Sequence, residues 1–242
     1  MVEPLAGAGL LPERTGAVSP AFDVINIGCL SRNRFWNEQQ AKRAAHATCV
    51  LIRDESNTVL VDPSLPTELL NHRLDERAGL AADDIDCVFL TCFRPVHRRG
   101  LSLFDRADWL MGGGEIEAMR THLEALTESA RQRGEADDPL VREELALLQR
   151  IRPAPDRITR SVHLFPAAGA TPGTCGLLLA RATATVVVAG DAVVSRDHYE
   201  HGQVLEQCFD LAQARTSLTE LAEVADQVIP GHDNLFVPVS TY

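Results

Sequence analysis

The feature that most constrains this chain is a set of short apolar stretches, each of strand length, arranged in two similar series. "FDVINIGC" (22–29), "ATCVLIRD" (47–54) and "NTVLVD" (57–62) are β-branched or alternate with period two, as residues of a pleated strand do. "ESN" between the second and third reads as a hairpin turn. "PTELLNHRLDERAG" then sets Leu69, Leu70, Leu74 and Ala78 on one helical face, with Gly79 as its stop. "DCVFLT" returns to strand. Ile116, Met119, Leu123 and Leu126 make a second helical stripe over 115–133. "DDPLVREELALLQRI" opens a third helix, with Asp138 as N-cap and Pro139 at its first position. The second series follows: "SVHLF" (161–165), "TCGLLLA" (174–180), "ATVVVAGD" (184–191), a helix at 211–226 and a closing strand "QVIPG". Two such series, each mixing hairpins with a helix crossover, predict an α+β fold of two sheets packed together with helices outside. Residues 1–20, rich in Gly, Ala and Pro, read as a loose N-terminal arm. A single domain over 21–242 is expected, with a helical insert at about 105–150 lying over one edge of the site.

Composition narrows the partners. Hydrophobic residues make up 45% of the 242, enough for a substantial core. The 23 basic and 34 acidic residues leave a formal charge of -11, which disfavours nucleic acid and anionic membrane, both polyanions. Arg94, Arg98 and Arg99 are close enough in sequence to form a local basic patch. The longest apolar runs are too short to span a bilayer. Cys29, Cys49, Cys87, Cys92, Cys175 and Cys208 form no CxxC pair, and four lie in apolar runs, as expected of buried thiols in a reducing compartment. A cytoplasmic protein is therefore expected, its partner a small molecule or a protein; the sequence carries no signal for oligomeric state.

Polar residues gather where strands end, the places where a rigid sheet can fix catalytic groups within reach of water. These are Asp62 after "VLV", "TCFRPVH" after "DCVFL", Gly190-Asp191 after "TVVVA", and Gly231-His232-Asp233 after "QVIP"; "ATPG" (170–173) adds a fifth turn. Five such pieces, in this order and at these spacings, resemble the metallo-β-lactamase superfamily over about residues 22–236. "LVDPS" is similar to that family's strand-end "LVDTG", and "DIDCVFLT" to the strand before its metal motif Thr-His-x-His-x-Asp-His. "AGATPG" is similar to its Pro-Gly-His-Thr-Pro-Gly turn, "VVVAGDAV" to its Gly-Asp, and "VIPGHD" to its final Gly-His. The resemblance implies an αββα sandwich of two mixed sheets with the site at one edge, holding two metal ions, usually zinc.

Carried over position by position, the metal motif falls on Cys92, Arg94, Val96 and His97, where the family has His, His, Asp and His. The third-loop histidine falls on Ala170, the bridging aspartate on Asp191 and the last histidine on His232. The first metal would depend on positions 92, 94 and 170. An arginine offers only donors there, and an alanine has no ligating atom; Arg94 reads either as a cation paired with Asp191 in place of the ion or as a solvent-facing member of a patch with Arg98 and Arg99. The second site keeps His97, Asp191 and His232, a two-histidine, one-carboxylate set that suits one zinc, manganese or iron ion. The plainer reading of the three is relics held by hydrogen bonds. The expected cofactor is thus none or one weakly bound divalent metal ion. Cys92 reads as a buried thiol, a ligand, or a nucleophile with Arg94 lowering its pKa. Asp62 reads as a support for metal-binding histidines or as a turn aspartate; Cys92 and Asp62 are the two catalytic candidates. His198 and His201 read as surface histidines, and "WLMGGGE" (109–115) as a hinge or flap of the insert. Three functions follow: a non-catalytic pseudoenzyme that binds a small molecule or partner; a mononuclear metal-dependent hydrolase of an ester, lactone, amide or phosphoester; and metal-free chemistry at Cys92.

Overall fold

The computed structural model describes residues 19–136 and 138–238, so all but the last two residues of the expected arm lie outside the described residues. Strands β1 (Ala21–Asn26), β2 (Cys49–Asp54), β3 (Asn57–Val61), β4 (Cys87–Leu90), β5 (Asp108–Met111) and β6 (Arg152–Pro153) form one sheet in chain order. Strands β7 (Val162–Pro166), β8 (Cys175–Ala180), β9 (Thr185–Gly190) and β10 (Gln227–Pro230) form the other, in the order β10-β9-β8-β7. Hairpin neighbours β1, β2 and β3 pair antiparallel, as do β7, β8 and β9. The joins β3-β4, β4-β5, β5-β6 and β9-β10 are parallel. A parallel join needs a crossover. Helices supply three of these: α1 (Thr67–Ala78) between β3 and β4, the pair α3 (Gly113–Gln132) and α4 (Pro139–Arg150) between β5 and β6, and α6 (Leu211–Val224) before β10. Two short helices, α2 (Pro95–Arg98) and α5 (Arg196–Glu200), lie in the loops after β4 and β9.

The side chains explain why the strands read as nearly continuous apolar runs rather than clean alternations. Val50, Ile52, Val59, Val61 and Phe89 pack against Val162, Leu177, Leu179, Val186 and Val188 between the sheets. The alternate residues Leu51, Leu60, Val88 and Leu90 face outward onto Leu70 and Leu74 of α1, Ile116 and Leu123 of α3, and Leu148 of α4. On the far side, Val187, Ala189 and Val228 meet Leu218 and Leu221 of α6. Both faces of each sheet are covered, and the architecture is an αββα sandwich of two mixed sheets.

Local signals set the helix ends. Gly79 takes the left-handed conformation (φ 63°) and returns its N–H to Asp75 O, closing α1. The Asp138 carboxylate accepts from Leu140 N at 2.9 Å, opening α4. Three expectations change. Leu126 of the second stripe points to solvent, because α3 packs only its first turns closely on the sheet. Over 105–150 the chain is not helical throughout: β5 enters the sheet beside β4. Nor is the glycine triplet a flap. A Cβ at Gly112 would stand 2.5 Å from Cys175 Sγ, and one at Gly173 would stand 2.0 Å from Glu115 N. The two backbones touch here, so small residues are a packing requirement.

Glu115 holds that junction. Its carboxylate is fully buried and accepts from Phe93 N (3.0 Å), Gly173 N (3.0 Å) and the Thr171 hydroxyl (2.7 Å). It thereby ties the loop after β4 to the loop before β8, the two loops that carry Arg94 and Ala170. Removing a buried acceptor strands its donors. We expect Glu115→Ala to lower the unfolding free energy by about 3 kcal/mol in urea melts, since each stranded donor costs about 1–3 kcal/mol. Glu117→Ala, which breaks only the exposed pair with Arg120 on the same helix, should change it by under about 1 kcal/mol.

Candidate functional site

Four loops meet at one edge between the sheets. Asp62 follows β3 in a left-handed conformation (φ 49°) and is almost wholly buried. Thr91 follows β4; its N–H and hydroxyl donate to the two oxygens of Asp62 at 2.9 and 2.7 Å. Pro95 starts α2, so what reads as a loop after "DCVFLT" is a helical turn that raises His97 from its floor. His97 Nδ1 lies 2.9 Å from the remaining reach of Asp62 Oδ2 and 3.2 Å from the Thr91 hydroxyl. Gly190, at the end of β9, takes φ 53°, and a Cβ there would stand 2.4 Å from Thr91 Oγ1. Only glycine lets β9 approach Thr91 so closely, and that approach delivers Asp191 to His97.

Asp191 is the centre. Its Oδ2 accepts from Arg94 Nη1 at 2.7 Å, while its Oδ1 lies 3.0 Å from His232 Nε2 and 3.3 Å from His97 Nε2. The last pair is close enough for charge attraction but misaligned for a hydrogen bond, which leaves His97 Nε2 buried without a hydrogen-bond partner. His232 Nδ1 is 2.9 Å from His46 O, so both of its ring nitrogens face acceptor oxygens. Arg94 Nη2 donates to Ala170 O at 2.9 Å and reaches Gln207 O at 3.4 Å. The guanidinium therefore spans the first-metal positions 94 and 170 and the bridging aspartate. Of the two readings of Arg94, the structure shows the pairing with Asp191 and not the basic patch. Arg94 is turned onto Asp191, and Arg98 is buried against Glu144 and the Phe93 ring, leaving Arg99 exposed.

The charges balance within this cluster. Burial opposes an imidazolium at His97, but the facing Cys92, Asp191 and Asp62 groups outweigh it and lift the His97 pKa well above 6.5, the carboxylates supplying the negative charge. Burial likewise opposes ionised Asp191, yet His97 and His232 hold its pKa well below 3.8. Burial pushes the Cys92 thiol upward, with His97 offsetting only part of the shift. The depressed Asp191 and the raised His97 thus favour a carboxylate facing an imidazolium, with the Arg94 guanidinium on the other Asp191 oxygen.

The two catalytic candidates, Cys92 and Asp62, both sit in this cluster. Cys92 is fully buried and carries a raised pKa, the opposite of what a nucleophilic thiolate needs. Asp62 has its carboxylate turned onto Thr91 and His97, a positioning role. Val96 offers the site no side-chain ligand, and its carbonyl accepts from Ala47 N. Among the described residues, Cys92 Sγ, a His97 nitrogen and an Asp191 oxygen lie within 4.8 Å of one another. With His232 Nε2 on the same Asp191 oxygen, the donors converge closely enough for one divalent ion, whose ligands stand about 2.0–2.3 Å away. The Arg94 guanidinium holds the other Asp191 oxygen, and the side chains at positions 94 and 170 offer no metal ligand.

Three residues were not anticipated. Thr91 falls on the threonine that opens the metal motif and Glu115 carries no motif, and the roles of both come from loops that meet only in the fold. His198 is buried rather than a surface residue: its Nδ1 is 2.7 Å from Ser195 Oγ and its ring packs edge-on to Phe35. The "SRDH" spacing, a serine three residues before a histidine at a helix start, was the available signal. His201 is exposed.

The two central pKa shifts set a pH dependence for metal-free protein. Asp191, depressed in the fold, contributes stability that is present above pH 3.8 and lost as pH falls below it. His97, raised in the fold, contributes stability that is complete below pH 6.5 and lost as pH rises through its folded value. In chelator, His97→Asn should therefore destabilise more at about pH 5.5 than at about pH 9, as measured by urea melts at both. An equal loss at both would show that His97 is not held protonated.

Among the described residues no helix is long and apolar enough to cross a membrane. No curated protein matches the chain. Several solved structures share its fold. AidC, a dizinc quorum-quenching lactonase in complex with a product, superposes with a TM-score of 0.65 at 16% identity, covering 92% of this chain and 89% of that one. A B. thuringiensis AiiA variant with N-decanoyl-L-homoserine at its active site gives 0.62 at 18% identity, covering 89% and 93%. The hydrolase AbOPH gives 0.60 at 14%, covering 93% and 92%. At such identities these likenesses speak for the fold alone. The metallo-beta-lactamase superfamily model, however, matches residues 44–232, from before β2 to His232, and so takes in every strand-end turn that builds the site. The chain belongs to the metallo-β-lactamase superfamily.

Proposed function

We propose that this protein uses the metallo-β-lactamase fold without two-metal hydrolysis, as a pseudoenzyme whose site binds a small molecule or a partner. The observation that carries this reading is the placement of Arg94: 2.7 Å from Asp191 Oδ2 and 2.9 Å from Ala170 O, across the positions of a first metal. A fixed cation there neutralises the carboxylate that a metal would otherwise bridge. At about 4 Å and an effective dielectric near 20 the gross attraction is about 4 kcal/mol, much of it offset by desolvation. The same charge repels a divalent ion from that half of the site. The half-buried guanidinium remains an electropositive group at the opening, able to receive a ligand's oxygen.

A second reading has its own support. Cys92, His97 and Asp191 converge as one metal's donors, with His232 Nε2 3.0 Å from Asp191 Oδ1, and the buried unpartnered Nε2 of His97 is a free ligand position. A bound zinc, manganese or iron would supply Lewis acidity and lower the pKa of bound water, the chemistry of a hydrolase of esters, lactones, amides or phosphoesters. This chain's residues would have to release the His97 proton first, since a ligating imidazole is neutral, and that competition weakens binding. Asp62 would hold Nδ1 of His97 and so aim the other nitrogen at the ion.

Elemental analysis of purified protein separates the readings, with at most one weakly held divalent ion per chain expected. Two tightly held ions would sink the first reading. We also expect the double variant Arg94→His, Ala170→His to gain zinc affinity by at least about tenfold, or 1.4 kcal/mol. Without metal it should be less stable than the parent by about 2 kcal/mol, the worth of a hydrogen bond to a charged group. Unchanged zinc binding and unchanged stability would mean that Arg94 does not stand in for an ion.

A further inference from the structure

Four side chains crowd beside Arg94, and their claims on a metal ion are unequal. Nδ1 of His97 lies 2.9 Å from Asp62 Oδ2, which holds the ring's proton on that side and leaves Nε2 as the ligating nitrogen. That Nε2 is sealed from water, has no hydrogen-bond partner and faces Asp191 Oδ1 at 3.3 Å. An unpaired polar atom in the interior is costly, and an ion between ring and carboxylate would satisfy it. Cys92 supplies the third donor. It is equally buried, and its sulfur lies within 4.8 Å of a His97 nitrogen and an Asp191 oxygen, about the span of two metal–ligand bonds of 2.0–2.3 Å. His232 is placed differently. Its Nδ1 is 2.9 Å from His46 O and its Nε2 is 3.0 Å from Asp191 Oδ1, so both ring nitrogens already face acceptor oxygens. Arg94 keeps the other Asp191 oxygen, at 2.7 Å.

We propose that Cys92 decides which ion this site takes: its thiolate, with His97 Nε2 and one oxygen of Asp191, selects a thiophilic ion of the zinc class over manganese or magnesium. His232 is then a positioning residue that steadies Asp191, not a ligand. The inference rests on the single-ion reading above and narrows it to zinc and its thiophilic neighbours cobalt and cadmium. Softness is the physical reason. Thiolate sulfur is polarisable and binds such ions strongly, whereas manganese and magnesium prefer oxygen. As the bonds form, the Cys92 thiol and the His97 Nε2–H each release a proton to solvent, since a ligating sulfur is a thiolate and a ligating imidazole is neutral. Among the described residues no other cysteine belongs to such a group of donors. Cys29 has His46 beside it, with Sγ 3.5 Å from Nδ1, but no third donor.

Because all three donors are buried, the ion is loaded while the chain refolds. The full chain is refolded from urea, under reducing conditions and without oxygen, with cobalt(II) in place of zinc. Cobalt on a thiolate gives an intense sulfur-to-metal charge-transfer band in the near ultraviolet, which nitrogen and oxygen ligands do not. The expected result is one cobalt per chain with that band. Cys92→Ser should abolish the band and lower the preference for cadmium over manganese at least about tenfold. Cys29→Ser and His232→Gln should both keep the band. Cobalt bound without the band, or a band that survives Cys92→Ser, overturns the proposal while the single-ion reading stands. An unchanged cadmium preference in Cys92→Ser does the same. Failure of the parent to bind either cobalt or zinc overturns both. Should Cys92→Ser not fold, cadmium NMR of the loaded parent decides. A resonance in the range of sulfur-ligated cadmium is expected, and one in the range of nitrogen and oxygen ligands alone overturns the proposal.

Discussion

The site depends on one buried carboxylate. Asp191 is almost wholly out of water, and an ionised carboxylate in that position is tolerable only if positive charge surrounds it. Here its two oxygens are divided. One faces the guanidinium of Arg94; the other faces the ring nitrogens of His232 and His97. Everything nearby serves that arrangement: Asp62 and Thr91 orient His97, Gly190 lets β9 come close enough, and Glu115 joins the loops that carry Arg94 and Ala170.

The arrangement also explains why substitutions at Arg94 and Ala170 belong together. An arginine needs room and an acceptor for its second nitrogen. Alanine at 170 leaves the room, and the Ala170 carbonyl is that acceptor. A histidine at 170 would crowd the guanidinium, and a histidine at 94 would leave Asp191 one cation short unless a metal bound. The two positions form a physical unit, joined by the Arg94 guanidinium between Asp191 and the Ala170 carbonyl.

Scaffold and site differ in how they are built. The scaffold rests on hydrophobic residues repeated along strands, with each sheet buried on both faces, and tolerates single exceptions such as the exposed Leu126. The site rests on a few close approaches at Gly112, Gly173 and Gly190. There a single methyl group would separate loops that must touch.

The sequence by itself determined the strands, the helix crossovers and the sandwich, because period and apolar content are local properties that burial then rewards. It also determined which strand ends would supply the site, since Asp62, His97, Asp191 and His232 each follow a strand in the order the superfamily uses. Tertiary structure alone decided what those residues do. That Arg94 turns inward to Asp191 rather than outward with Arg99, that Cys92 is sealed and protonated, and that His198 is buried on Ser195 all depend on residues far apart in the chain. The same holds for Glu115 and Thr91, whose partners lie up to 58 positions away. A side chain's charge state is set by the groups around it and by its distance from water, and neither is written in its neighbours along the chain.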